Sequence, residues 1–85
     1  MFSVEFSNNA EKFLKKSDKI IAGRILEKIE KLKAISVPSD AKFIGRHKGD
    51  KVFRIRIGDC RVLYKIKENE KLILVSDIDK RSRIY

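Results

Sequence analysis

Val52-Phe53-Arg54-Ile55-Arg56-Ile57-Gly58-Asp59-Cys60-Arg61-Val62-Leu63-Tyr64 reads as two strands folded back on one another. Apolar and polar residues alternate on both sides of Gly58-Asp59, and a glycine there supplies the positive φ that a two-residue hairpin turn requires. The register follows by counting outward: Ile57 faces Cys60, Arg56 faces Arg61, Ile55 faces Val62, Arg54 faces Leu63 and Phe53 faces Tyr64. Phe53, Ile55, Val62 and Tyr64 then share one face, which is the expected core. Arg54, Arg56 and Arg61 share the other. Like charges directly opposite across strands are destabilising, so this hairpin gains nothing for folding from its arginines. An anionic ligand, or a carboxylate from elsewhere in the chain, is expected beside them. The bland alternative is a solvated face whose arginine stems cover apolar surface.

Outward from the hairpin, a last strand is expected over Lys71–Ile78, after Glu68-Asn69-Glu70. Running antiparallel to Cys60–Lys67, it returns Asp77 and Asp79 to the level of Arg61, followed by Lys80, Arg81, Arg83 and Tyr85. Upstream, a strand is expected over Lys42–Gly45 and a loop over Arg46-His47-Lys48-Gly49-Asp50. Before residue 42 the period is helical. Ser7 offers an N-cap for a short helix carrying Ala10, Phe13 and Leu14, and Ser17-Asp18 is a second cap signal. Ile21, Ile25, Ile29 and Leu32 then recur at spacings of four, four and three, one face of a helix running to about Ile35. Its other side carries Lys19, Glu27, Glu30, Lys31 and Lys33, a face that reads as solvated. Val37-Pro38-Ser39-Asp40 ends it, and Phe2–Phe6 alternates as a half-buried strand. The expected fold is α+β: an N-terminal strand, a two-helix hairpin, then an antiparallel four-strand meander, with the helices on one face of the sheet. Residues 1–85 form one domain, since no repeat or linker divides them.

Charge narrows the function classes. The net charge is +9, and it is unevenly placed. Residues 1–41 hold eight Lys/Arg against six Asp/Glu, whereas residues 42–85 hold thirteen against six. Such a field attracts polyanions, and nucleic acid is the default candidate. One cysteine, Cys60, and one histidine, His47, exclude an internal disulfide and a zinc cluster. Cys60 reads as a small buried residue and His47 as a surface residue. Scattered glycines exclude a phosphate loop, and no metal or cofactor is expected. The longest apolar run, Leu72–Val75, is far short of the roughly 20 residues of a membrane helix, and the first residues lack a signal-peptide pattern. A cytoplasmic protein with no membrane partner is the expectation.

A set of guanidiniums with one phenol can cleave RNA, because RNA carries its own nucleophile in the 2′-hydroxyl. Arginine grips phosphate oxygens bidentately and neutralises the charge of a five-coordinate phosphorane. A tyrosine is a poor base at neutral pH, but surrounding cations favour its phenolate. Tyr85 could in that setting take the 2′-hydroxyl proton.

The hairpin and the terminal Lys80-Arg81-Ser82-Arg83-Ile84-Tyr85 together resemble the RelE/ParE toxin superfamily. The likeness runs over the whole chain and includes Lys42-Phe43-Ile44-Gly45 before the arginine hairpin. Arg54 and Arg56 stand where RelE-type enzymes often carry lysines, and Cys60 where an aromatic is usual. The resemblance implies the toxin of a type II toxin–antitoxin pair, a metal-independent endoribonuclease that cuts mRNA in the ribosomal A site and so inhibits translation. It implies a RelB-like antitoxin as partner, besides mRNA on the ribosome and ribosomal RNA. By the same analogy Tyr85 acts as general base and Arg81 as acid or leaving-group stabiliser, while Arg54, Arg56 and Arg61 hold the phosphate. Arg46, Lys48, Lys51, Lys80 and Arg83 are expected to bind RNA around them. Two other readings stay open: a ParE-type toxin that poisons DNA gyrase without cutting RNA, and a non-catalytic RNA-binding module. The latter would expose stacking aromatics, yet Phe53 and Tyr64 fall on the expected core face.

Overall fold

The computed structural model describes residues 1–80, so the expectations placed on Arg81, Arg83 and Tyr85 lie outside the described residues. Strand β1 (Ser3–Phe6) is followed by helices α1 (Asn8–Lys16) and α2 (Lys19–Leu32), then by β2 (Lys42–His47), β3 (Asp50–Ile57), β4 (Cys60–Lys67) and β5 (Leu72–Lys80). The strands form one sheet in the order β1-β5-β4-β3-β2. Strands β2 to β5 are the expected antiparallel meander, and β1 adds to its far edge parallel to β5.

Local chemistry accounts for the helices. The hydroxyl of Ser7 accepts from the amide of Ala10 at 3.1 Å, and the Asp18 carboxylate accepts from the amide of Ile21 at 2.9 Å. Each cap satisfies one of the orphan donors of a first helical turn. Ile25, Ile29 and Leu32 are buried, as the stripe requires, and with Ala10 they pack on Phe53, Ile55, Val62, Tyr64, Ile66, Ile73, Val75 and Ile78. Burying each such large apolar side chain stabilises by about 1.5–3 kcal/mol before entropy is counted. Phe53 lies between Phe43, edge-on at 5.6 Å, and Tyr64, stacked at 5.8 Å. The Tyr64 hydroxyl donates to the Ser36 carbonyl at 2.8 Å, which ties the sheet to the segment after α2.

Several boundaries differ from the sequence expectation. Helix α2 closes at Leu32, about one turn before Ile35, and Ile35 itself is exposed. The expected loop 46–50 is mostly strand, because β2 and β3 pair as far as His47 opposite Asp50. Only Lys48 and Gly49 remain in the turn, both at positive φ, as a two-residue turn demands. The last strand begins at Leu72, since Lys71 takes a left-handed conformation after a short 3-10 turn, and it continues to Lys80.

Two register shifts shape the uncovered face. One falls between Phe43 and Gly45, where Ile44 is the extra residue, and the other opposite Leu63/Tyr64, where Ser76 is extra. In a regular strand Asp77 would share the face of Ile73 and Val75, which is the core. The bulge at Ser76 reverses this alternation, so that Ile78 is buried while Asp77 and Asp79 emerge on the opposite side. It is held from two directions. Ser7 Oγ donates to the Ser76 carbonyl at 2.7 Å, and Ser76 Oγ donates to the Leu63 carbonyl at 3.2 Å.

Candidate functional site

The helices cover one face of the sheet, and the other carries the arginines. Arg56 lies opposite Arg61 and Arg54 opposite Leu63, the register expected from the hairpin. Gly58 has φ +59° and Asp59 is not left-handed, the pattern of a II′ turn. Strand β5 completes two cross-strand rows. One runs Arg56, Arg61, Asp79; the next runs Lys42, Arg54, Leu63, Asp77. Between them Ile44, Arg54, Arg61, Leu63, Asp77 and Asp79 line a shallow depression of about 180 Å³.

The carboxylates that the sequence places near Arg61 are thus its direct neighbours on the sheet. They do not clamp the arginines. The ion pairs among the described residues are Lys28–Asp40, Lys33–Glu30 and Lys67–Asp50, none of which includes an arginine. One Asp77 oxygen accepts from the amide of Ile78 at 3.0 Å, which restricts how that carboxylate can turn.

The expected RNA-binding residues do not all share this face. Lys51 lies opposite the buried Ile66, and Arg46 opposite Lys51, so both sit at the end of the helix-covered side. There the Arg46 guanidinium donates to the Gly49 carbonyl at 3.1 Å. Lys80 lies opposite Cys60 on that side too, near Ile21 and Arg24 of α2, and Lys48 stands in the β2–β3 turn. Three cations of the uncovered face went unassigned in the sequence: Lys67, which pairs with Asp50 at 3.7 Å, Lys42 and Lys65. Lys42 is opposite Arg54, and Lys65 is next but one to Leu63 along β4, where its Nζ donates to His47 Nδ1 at 2.7 Å. The alternation Arg61, Leu63, Lys65 was a usable signal for Lys65. For Lys42 there was none, because the bulge at Ile44 hides the register.

Cys60 is buried, and desolvation raises its pKa, so the thiol stays protonated and is packing material. Tyr64 is wholly buried, and burial, with Asp40 adding to it, pushes its phenol up to about 12. That rules it out as a base for the arginine face, which it does not touch.

Comparison with known proteins defines the class. The model of a family described as the ParE toxin of type II toxin–antitoxin systems, parDE, matches residues 4–85. A Methanocaldococcus jannaschii protein carrying the name toxin RelE1 is 34% identical over 85 residues, covering 99% of this chain and 94% of its own. Among solved structures, the archaeal RelE–RelB complex of Pyrococcus horikoshii OT3 superposes with a TM-score of 0.86 at 26% identity, over 96% of this chain and 97% of that one. The RelB–RelE complex of Methanococcus jannaschii gives 0.70 at 26% identity, over 94% and 93%. The intact Escherichia coli RelBE complex shares the fold, with a TM-score of 0.76 at 15% identity over 94% and 96%. The chain belongs to the RelE/ParE family of type II toxin–antitoxin toxins. The Methanocaldococcus jannaschii relative and the solved structures named above carry the RelE name.

Proposed function

We propose that this toxin inhibits translation in the cytoplasm as a metal-independent endoribonuclease that cuts mRNA, with the ribosomal A site as the place of cleavage. The observation that carries the reading is the pairing of Arg56 with Arg61, with Arg54 on the same uncovered sheet face. Folding gains nothing from that juxtaposition, and an RNA phosphate lying across it would gain several charge-assisted hydrogen bonds.

The chemistry needs little more than positioning and charge. Arg54, Arg56 and Arg61 hold the phosphate so that the neighbouring 2′-oxygen lies in line with the leaving oxygen. As the 2′-oxygen bonds to phosphorus and the P–O5′ bond breaks, the guanidiniums offset the charge growing on the non-bridging oxygens. Tyr85 takes the 2′-hydroxyl proton, and Arg81 stabilises or protonates the departing 5′-oxygen. Arg83 and the lysines of the uncovered face anchor flanking RNA. The RelE–RelB complexes among the structural relatives support a RelB-like antitoxin as the partner that holds this toxin in check.

Primer extension on mRNA from translating ribosomes incubated with the purified protein tests the reading. A-site breaks are expected with the parent, and their loss with Arg61→Ala, Arg81→Ala and Tyr85→Phe. Intact mRNA together with inhibition of DNA gyrase would overturn it in favour of the other branch of the family.

A further inference from the structure

We propose that the depression between Arg54, Arg61, Asp77 and Asp79 is a nucleobase pocket that selects guanine, with the two aspartates as its specificity determinants. The inference rests on the reading of this face as an RNA site and says which part of the nucleotide goes where.

A simple phosphate site would be cationic throughout, and this one is not. Around the depression, charge on the uncovered face changes sign along the strand order. Lys42 on β2 and Arg54 and Arg56 on β3 are cationic, Arg61 stands on β4, and Asp77 and Asp79 stand on β5. Strands β3 and β5 are two sheet spacings apart, about 10 Å, comparable to the span from a nucleotide's phosphate to the far edge of its base. Within the depression the two guanidiniums stand on β3 and β4 and the two carboxylates on β5, so a phosphate is repelled from its β5 end. The depression offers donors on one side and acceptors on the other. The phosphate sits at the opposite end, among Arg54, Arg56 and Arg61, and the base then points toward β5.

Guanine fits that polarity. Its O6 and N7 accept from an arginine fork, the commonest base contact of that residue. Its N1–H and N2–H groups donate in parallel, and a carboxylate has two oxygens to receive them. Uracil has one such donor, and adenine and cytosine have only their exocyclic amino group. Ile44 and Leu63 supply apolar walls beside the ring. Both bulges serve this pocket. The extra residue Ile44 lines it directly, and the extra residue Ser76 turns Asp77 and Asp79 out of the core and into it. Bulges that re-aim side chains are concentrated next to active sites, and this one is tied down by the hydroxyl of Ser7.

Titration of the full-length toxin with 5′-GMP, AMP, CMP, UMP and ribose 5-phosphate, followed by NMR, tests the proposal without requiring cleavage. GMP is expected to bind about fivefold or more tighter than the other nucleotides, the least that one bidentate base contact confers. Asp77→Asn and Asp79→Asn should erase that preference while tightening ribose 5-phosphate, because each removes a negative charge. Equal affinity of the parent for all four nucleotides overturns the proposal, and that measurement needs no variant to fold. So does a GMP preference that survives both substitutions, or ribose 5-phosphate binding as tightly as GMP. If GMP is preferred but ribosomal mRNA stays intact, the cleavage reading falls and the pocket stands. If mRNA is cut while the parent shows no preference among nucleotides, the reverse holds.

Discussion

Arg56 and Arg61 face one another directly across β3 and β4, and Asp79 stands on the far side of Arg61. A like-charge cross-strand pair is a site where stability has been given up. Replacing Arg56 by Gln should therefore stabilise the fold, by about 0.2–1 kcal/mol, while weakening RNA binding. Removing the neighbouring carboxylate with Asp79→Ala should destabilise by a similar amount. Urea unfolding of the three proteins at low salt checks both signs, and added salt should shrink both differences.

Phosphate contacts by this face carry a salt signature. For single-stranded RNA each neutralised phosphate contributes about −0.7 to the slope of log K against log salt. Alanine at Arg54, Arg56 or Arg61 should each flatten the slope by roughly that amount if each holds one phosphate. Fluorescence anisotropy with a short labelled RNA at several salt concentrations reads this out. Alanine at Lys51 or Lys80, on the helix-covered side, should leave the slope nearly unchanged.

Tyr64 ties the sheet to the chain after α2 through its bond to the Ser36 carbonyl. Tyr64→Phe should cost about 0.5–1.5 kcal/mol, or more if the carbonyl is left dry. The phenol is raised to about 12 in the folded protein, against about 10 in an unfolded chain. The unfolded state thus releases the proton first as pH rises. The stabilisation is complete below about pH 10 and is lost as pH climbs toward 12. The stability difference between parent and Tyr64→Phe should accordingly shrink over that interval, as denaturation at a series of alkaline pH values would show.

Ser7 caps α1 and holds the bulge at Ser76 with the same hydroxyl. Ser7→Ala should cost about 0.5–2 kcal/mol from the cap alone. A second effect distinguishes it from an ordinary cap loss: with Ser76 less restrained, amide exchange should quicken at Asp77 and Ile78, far from the helix in sequence. Protection unchanged at those amides would mean that the Leu63–Ser76 bond holds the bulge by itself.

The helices were legible because their stripe and both caps are local features. Ile25, Ile29 and Leu32 are buried, and Ser7 and Asp18 cap as their side chains suggest. The hairpin register was legible because Gly58 sets the turn and the turn sets every pair beyond it. Ile44 was not legible as a bulge, since Lys42-Phe43-Ile44-Gly45 alternates no better with it than without it. Leu72–Val75 is apolar at every position, so its parity says nothing about which way Asp77 points. The parallel pairing of β1 with β5 is also silent in the sequence, because it joins residues 69 positions apart (Ser3 with Leu72).

The amino-acid sequence by itself determined the arginine hairpin and the helical layer, which rest on short-range periodicity and turn chemistry, and its motifs carried the resemblance to the family. The tertiary structure decided which other charges share the arginine face. Lys42 joins it and Lys51 and Lys80 do not, and Asp77 and Asp79 are turned onto it by one extra residue at Ser76. The physical reason is that a strand's facing has period two, so a single bulge inverts everything beyond it. That bulge is held by hydrogen bonds from Ser7 and to Leu63, partners that only the folded chain brings together.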